Sequence, residues 1–254
     1  MGECRPTKYP METSIQLDKD EKGKVIDATQ FKSIVGGLRY LVHTRPDIAY
    51  AVGIVSRYTE QPTVLHQAAV KRILHYIKGT TNYGLIYMKG TGNHLLKGYS
   101  DSDLAGSTED MRSTGAMVFY LNDNLITWVS QKQRCVALSS CEAEFMAATA
   151  AACQAVWLRN LLIQITGVEH GPVIIYVDNM SAIDLAKNPV FQGRSKHIDI
   201  RYHFIRECVE RGEIKVKYVI TNEQRADVLT KAMETVKFEY MRALLGIQCL
   251  LKHA

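Results

Sequence analysis

The chain has 254 residues, 46% of them hydrophobic and 22% charged, with a formal net charge of +5. A chain of that size builds one large core or two modest ones without disulfide or metal staples, and its composition excludes an intrinsically disordered protein. No stretch reaches the roughly 18 uncharged apolar residues that a membrane span requires, and Met1-Gly2-Glu3-Cys4-Arg5-Pro6 lacks the apolar core of a secretory signal.

Residues 1–27 contain the charged run Asp18-Lys19-Asp20-Glu21-Lys22-Gly23-Lys24 and little apolar periodicity, which predicts a flexible, exposed lead-in. From Phe31 to Val42 the apolar residues Phe31, Ile34, Val35, Leu38, Leu41 and Val42 recur at helical spacing. A second helix is predicted from Pro46, with Ile48, Ala51, Val52 and Val55 on one face, and a third from Thr63 to Lys78. The run Leu85-Ile86-Tyr87 closes this small helical unit, and Gly90-Thr91-Gly92-Asn93 reads as a linker. All of the positive excess lies here: residues 1–95 hold 13 Lys and Arg against 8 Asp and Glu, and residues 96–254 hold 18 of each.

Beyond the linker the period changes to two. Strands are predicted at about 95–101, 115–121, and 125–130 with 133–138, with turns such as Leu121-Asn122-Asp123-Asn124 between them. A long alanine-rich helix follows from about Ser140 to Ile165, then a strand Pro172–Val177 and a helix Met180–Lys187. The order ends with a helix from about Asp199 to Glu210, a strand Lys215–Val219 and a helix from about Gln224 to Leu245. Three hairpin-linked strands followed by alternating helices and strands predict a mixed α/β fold with one sheet covered by helices. The six cysteines show neither a CxxC pair nor zinc spacing and are expected to be buried free thiols.

Four carboxylates fall where this layout ends a strand or starts a helix: Asp101, Glu144, Asp178 and Asp227. Acids from two strand ends and two helix starts can converge at one sheet edge without burying unpaired charge, provided cations lie between them. Two Mg²⁺ ions about 4 Å apart, one activating a water and one stabilising a leaving oxygen, are what phosphodiester hydrolysis needs. Alternation puts Asp101 and Asp103 on the same face and does not choose between them. On a helical wheel Glu144 shares its side with Ala147, Ala148, Ala151, Ala155, Leu158 and Leu162, whereas the side of Glu142 reaches Asn160 and Gln164. Glu144 is therefore expected at the core edge, with Glu142 capping the helix behind Ser139 or Ser140.

Several blocks then share one order: Ser33-Ile34-Val35-Gly36-Gly37-Leu38-Arg39-Tyr40-Leu41, Thr44-Arg45-Pro46-Asp47-Ile48, Tyr99-Ser100-Asp101, Glu142-Ala143-Glu144-Phe145, Lys196-His197-Ile198-Asp199-Ile200 and Ala226-Asp227-Val228-Leu229-Thr230-Lys231. With Ile77-Lys78-Gly79-Thr80, Trp128 to Gln133, and Tyr202 to Glu207, they resemble the Pol polyprotein of copia-type LTR retrotransposons, over the end of reverse transcriptase and the ribonuclease H domain. The resemblance implies a lead-in over 1–27, a helical reverse-transcriptase C-terminal segment, thumb- or connection-like, over 28–93, and a ribonuclease H-like domain over 94–254. The implied fold of that domain is a mixed five-stranded sheet flanked by helices. The implied activity is metal-dependent cleavage of the RNA strand of RNA/DNA hybrids, using two Mg²⁺ ions, or Mn²⁺ in their place, on Asp101, Glu144, Asp178 and Asp227. Asp101 is chosen over Asp103 by its place in the family's motif. The polymerase's paired aspartates are missing, and so is the histidine-bearing loop that many cellular ribonucleases H carry before the last aspartate.

The implied partners are a hybrid and the rest of a reverse transcriptase, with no membrane, inside the cell in the cytoplasm (a virus-like particle) or the nucleus. Residues 187–217 hold eight Lys and Arg against four acids, so Arg194, Lys196 and Arg201, with Lys231 beyond them, are expected to grip phosphates, although a solvated helix face accounts for such charges equally well. His197 and His203, six apart, fit neither ligand spacing on a helix, and Trp128 and Tyr99 are expected in the core. The alternative function is a transposon-derived binding or interaction protein, weak or inactive in catalysis, put to host use.

Overall fold

A computed structural model describes residues 4–15, 17–90, 94–187 and 196–250, and the side chains of all of these except 196–200 and 202. In chain order its elements are α1 (Ala28–Leu41), α2 (Ala49–Val55), α3 (Val64–Gly79), β1 (Tyr83–Leu85), β2 (Leu96–Ser102), β3 (Thr114–Leu121), β4 (Asn124–Lys132), α4 (Ser140–Thr166), β5 (Val173–Val177), α5 (Met180–Lys187), α6 (Lys196–Glu210), β6 (Ile214–Tyr218), α7 (Thr235–Leu244) and β7 (Ile247–Cys249). The chain divides into two compact units, the first of residues 1–86, 107–111 and 228–254, the second of residues 87–106 and 112–227.

In the first unit, Asp27 caps α1 by accepting from the Thr29 N–H at 2.8 Å, and the helix buries Phe31, Val35 and Leu38. Pro46 opens the short 3-10 turn that leads into α2, where a missing N–H costs nothing. The lead-in has almost no regular structure and is largely exposed, yet it is pinned at several points. Met11 and Leu17 are buried, Tyr58 donates to the Leu17 carbonyl at 2.6 Å, and Thr63 donates to Asp20 at 2.6 Å. Side-chain hydrogen bonds to a chain without periodicity hold it in place, which apolar patterning does not reveal. The unit is not all helical either. β1 pairs antiparallel with β7, matching Tyr83 with Cys249 and Leu85 with Ile247. A buried network backs this pairing: Arg45 grips Asp47 with two bonds of 2.9 and 2.7 Å, Tyr76 donates to Asp47, and Arg242 donates to the Tyr76 oxygen at 3.1 Å. Residues 228–254, expected within the second domain, therefore group with the first, and the expected boundary at 93/94 falls at 86/87.

The second unit is the expected mixed α/β layer structure. Its sheet runs β4-β3-β2-β5-β6, with β4, β3 and β2 antiparallel and β2, β5 and β6 parallel. Parallel neighbours need long crossovers, supplied by α4 between β2 and β5 and by α5 and α6 between β5 and β6. One face packs on α4, whose small residues Ala148, Ala151, Ala152 and Ala155 let the helix approach Phe119, Val173, Ile175 and Val177 closely. α4 is long and apolar enough to cross a membrane by length and composition, but half of that stretch is buried in this core. Gly98 lies opposite Phe119 in the β2–β3 pair, and a Cβ there would stand 2.5 Å from the Phe119 ring. On the other face Tyr99 stacks on Tyr176 at 4.9 Å, and the Arg225 guanidinium sits 5.2 Å from the Tyr99 ring and 4.7 Å from the Tyr120 ring. Lys215 and Lys217 stay exposed on the edge strand β6, which discourages pairing with another chain.

Two predicted elements differ. Residues 133–138 do not extend β4, because Gln133 turns its side chain inward to Ser102 and Ala143. The predicted helix from Gln224 to Leu245 is two 3-10 turns, Thr221–Glu223 and Asp227–Leu229, followed by α7. There Gln224 spends its amide on the Ser100 carbonyl and the Ala226 N–H, and such side-chain bonds compete with helix formation.

Candidate active site

Asp101 lies one residue before the end of β2 and is 4% exposed. Its neighbour Asp103 holds the local backbone together. The Asp103 carboxylate accepts the Thr114 N–H while its own N–H bonds the Thr114 carbonyl at 3.1 Å, closing the turn beyond β2. Asp178 follows the last residue of β5. The parallel register pairs Tyr99 with Tyr176, which lie two residues before Asp101 and Asp178 respectively. Oδ1 of Asp178 is buried and accepts no hydrogen bond.

Glu144 sits in the second turn of α4, and its Oε1 accepts from Asn179 Nδ2 at 3.2 Å. Asn179 is fixed in turn, because its Oδ1 accepts the Ala182 N–H at 3.1 Å at the start of α5. Glu142 closes the helix start as expected, with Ser139 as the cap: Ser139 Oγ accepts the Glu142 N–H at 3.1 Å and Glu142 accepts the Leu138 N–H at 3.0 Å. Asp227, fully buried, occupies a 3-10 turn and not a helix start, and its N–H bonds the Gln224 carbonyl at 3.1 Å. Gln224 Nε2 donates to the Ser100 carbonyl at 2.9 Å and so brings this turn to β2. Burial, reinforced by the Glu144 and Glu142 charges, pushes the Cys141 thiol above its ordinary value.

The four acids are thus linked through their immediate neighbours. Among the described residues, however, no three of His, Cys, Asp and Glu are gathered to hold one metal ion. By register Ser102 and Gly115 face α4, where Gly115 lies against Ala147, so Asp101 shares the opposite face with Tyr99. The donor set itself suits a hard divalent cation, being all carboxylate oxygen and including the unsatisfied Asp178 Oδ1.

Arg194 and the side chain of Lys196 lie outside the described residues, as does that of His197. Arg201 lines a cavity of about 190 Å³ in the second unit with Lys132, Arg134, Met146 and Ala147. Lys231 belongs to the first unit. His203 is exposed, and Tyr99 is in the core as expected. All six cysteines are free thiols, but only Cys208 is buried and Cys153 is exposed. Sequence reasoning missed Gln133, Asn179 and Gln224. The one signal available was a carboxamide close in sequence to a strand end or to an acid.

No family model matches the chain. It is 42% identical over 255 residues to the retrovirus-related Pol polyprotein from transposon TNT 1-94 of Nicotiana tabacum, covering 97% of this chain and 19% of that one. It is 41% identical over 245 residues to the Pol polyprotein from transposon RE2 of Arabidopsis thaliana, covering 96% and 17%. The chain therefore spans about a fifth of the length of these relatives. Half of it is 47% identical, over 129 residues, to secreted RxLR effector protein 161 of Plasmopara viticola, of which it covers 90%. Among solved structures, RNase H1 from Halobacterium salinarum NRC-1 aligns with 53% of this chain and 93% of its own, at 14% identity and a TM-score of 0.39.

Proposed function

The chain belongs to the family of retrovirus-related transposon Pol polyproteins, and from that premise we propose that its second unit is a ribonuclease H-like nuclease that hydrolyses the RNA strand of RNA/DNA hybrids. The observation that carries this reading is the meeting of four acid-bearing segments at one end of the β2–β5 pair. Tyr99 and Tyr176, each two residues before an acid, are register partners, Glu144 is bonded to the residue after Asp178, and the Asp227 turn is bonded to the residue before Asp101. Asp101, Glu144, Asp178 and Asp227 would hold two Mg²⁺ ions, or Mn²⁺, which when bound lower the pKa of the attacking water and neutralise charge on the scissile phosphate. The protein's part is to hold these carboxylates oriented at a partly water-excluded edge, with Asp178 Oδ1 left open to a cation. Selectivity for a hybrid would rest on A-form groove width and 2′-hydroxyls, with Arg194, Lys196, Arg201 and Lys231 as candidate phosphate contacts.

A second reading is a transposon-derived protein that keeps the fold for binding without cleavage. It is favoured by the likeness to a secreted effector and by the lack, among the described residues, of a gathered three-ligand group. A labelled RNA/DNA hybrid incubated with Mg²⁺ and either the unmutated chain or Asp178→Asn separates the two. Cleavage by the unmutated chain alone supports the nuclease; hybrid binding without cleavage by either supports the second reading, and equal cleavage by both removes Asp178 from the site.

A further inference from the structure

Resting on that reading of the four acids, we infer that Gln133 and Gln224 are positioning residues that fix the peptide planes from which the metal-binding carboxylates project. Each amide grips a backbone carbonyl one residue before an acid. Gln133 Nε2 donates to the Ala143 carbonyl at 2.8 Å, which shares its peptide plane with the Glu144 nitrogen. The same nitrogen donates to Ser102 Oγ at 3.0 Å, on the residue after Asp101. Gln224 Nε2 donates to the Ser100 carbonyl at 2.9 Å, in the plane that holds the Asp101 nitrogen. One amide thus ties the Asp101 strand to the Glu144 helix, and the other ties it to the Asp227 turn.

The amide orientations are forced by their partners. A carbonyl oxygen only accepts, so the nitrogen of Gln133 must face Ala143 and that of Gln224 must face Ser100. Gln224 is fully buried and its Oε1 accepts the Ala226 N–H at 3.3 Å, shaping the turn that delivers Asp227. Gln133 gives the sharper argument, because its Oε1 is buried with no hydrogen-bond partner. Such an orphan acceptor costs about 1–3 kcal/mol, which an apolar side chain of the same length would avoid. The side chain is therefore held for its donors. Supports of this kind behind metal ligands set how well the ligands are oriented, and losing one typically weakens metal binding or activity about 10–100-fold.

The test is Mn²⁺ binding to the full chain by titration with electron paramagnetic resonance, beside hybrid cleavage kinetics, for the unmutated chain, Gln133→Met and Gln224→Met. Methionine keeps length and apolar volume and removes only the amide. The expected result is Mn²⁺ affinity weaker by about 10–100-fold and a lower kcat with KM for the hybrid unchanged. A merely structural role would lower the melting temperature and leave Mn²⁺ affinity of the folded chain within twofold, and that outcome overturns the inference. Ser102→Ala removes one acceptor of Gln133 along with the Ser102 Oγ bonds to the Asp103 and Thr114 carbonyls, and a smaller loss than in Gln133→Met, in the same direction, supports the inference even where a methionine variant fails to fold; unchanged affinity in Ser102→Ala and the folded variant overturns it. An unmutated chain that binds no Mn²⁺ instead overturns the reading of the four acids, and the inference falls with it.

Discussion

Replacing Asp178 by asparagine should make the metal-free chain more stable and the metal-loaded chain less so. Asp178 Oδ1 is buried without a hydrogen-bond donor. Leaving such an acceptor unsatisfied costs about 1–3 kcal/mol, more when it is charged. Asparagine removes the charge at constant shape, so a gain of about 1 kcal/mol is expected, or roughly 2–4 °C in Tm for a chain of this size. Cations reverse the order. A ligand that binds only the folded chain at 100 times its Kd adds about 2.7 kcal/mol, and Asp178→Asn forfeits most of that. Thermal unfolding in EDTA and in excess Mg²⁺ reads both effects, with Asp178→Asn melting higher in the first buffer and lower in the second. A lower Tm for the variant in EDTA, or an equal rise for both chains in Mg²⁺, would refute the argument that this edge is built to receive cations.

In the first unit, Asp47→Asn leaves the buried Arg45 guanidinium without its counter-charge, and a loss of about 3–5 kcal/mol is expected in urea unfolding; an unchanged midpoint would show that the Arg45, Tyr76 and Arg242 network does not depend on that charge. Gly98→Ala drives a methyl into the Phe119 ring, 2.5 Å away, and should cost about 1–3 kcal/mol, checked by the same unfolding curve; a cost near zero would mean that β2 and β3 shift freely. Stability should also fall in alkali. Burial, reinforced by Glu213, raises the Cys208 thiol from 9.0 to about 11, and burial with the Glu109 charge raises Tyr58 from 10.0 to about 12, while Tyr76 and Tyr120 are pushed up further, mainly by burial. These groups ionise in the unfolded chain before they do in the folded one, so their contribution is full below pH 9 and is lost as pH rises from about 9 to 12. Tyrosinate absorbance should show a late-titrating group that appears together with unfolding, and a single reversible transition near pH 10 for all 13 tyrosines would contradict it.

What the sequence determined was local. Helical spacing from Phe31 to Val42 and alanines along one side of Ser140–Thr166 set where helices form and which glutamate faces the core edge, because a 3.6-residue period needs only near neighbours. Strand alternation did the same for β2, β3 and β5, and the order of elements gave the mixed sheet with its four acids in sequence. Tertiary structure decided what depends on distant partners. β1 finds β7, and Arg242 finds Tyr76 across 166 positions, so the C-terminal segment completes the first unit although periodicity placed it in the second. Gln224 bonds Ser100 across 124 positions and, with its hold on Ala226, turns the predicted helix at Asp227 into a 3-10 turn. A side-chain amide carries no signature of the carbonyl it will reach. Alternation leaves Asp101 and Asp103 equivalent, and their different surroundings appear only in three dimensions, where Asp103 bonds the Thr114 backbone and Asp101 is buried.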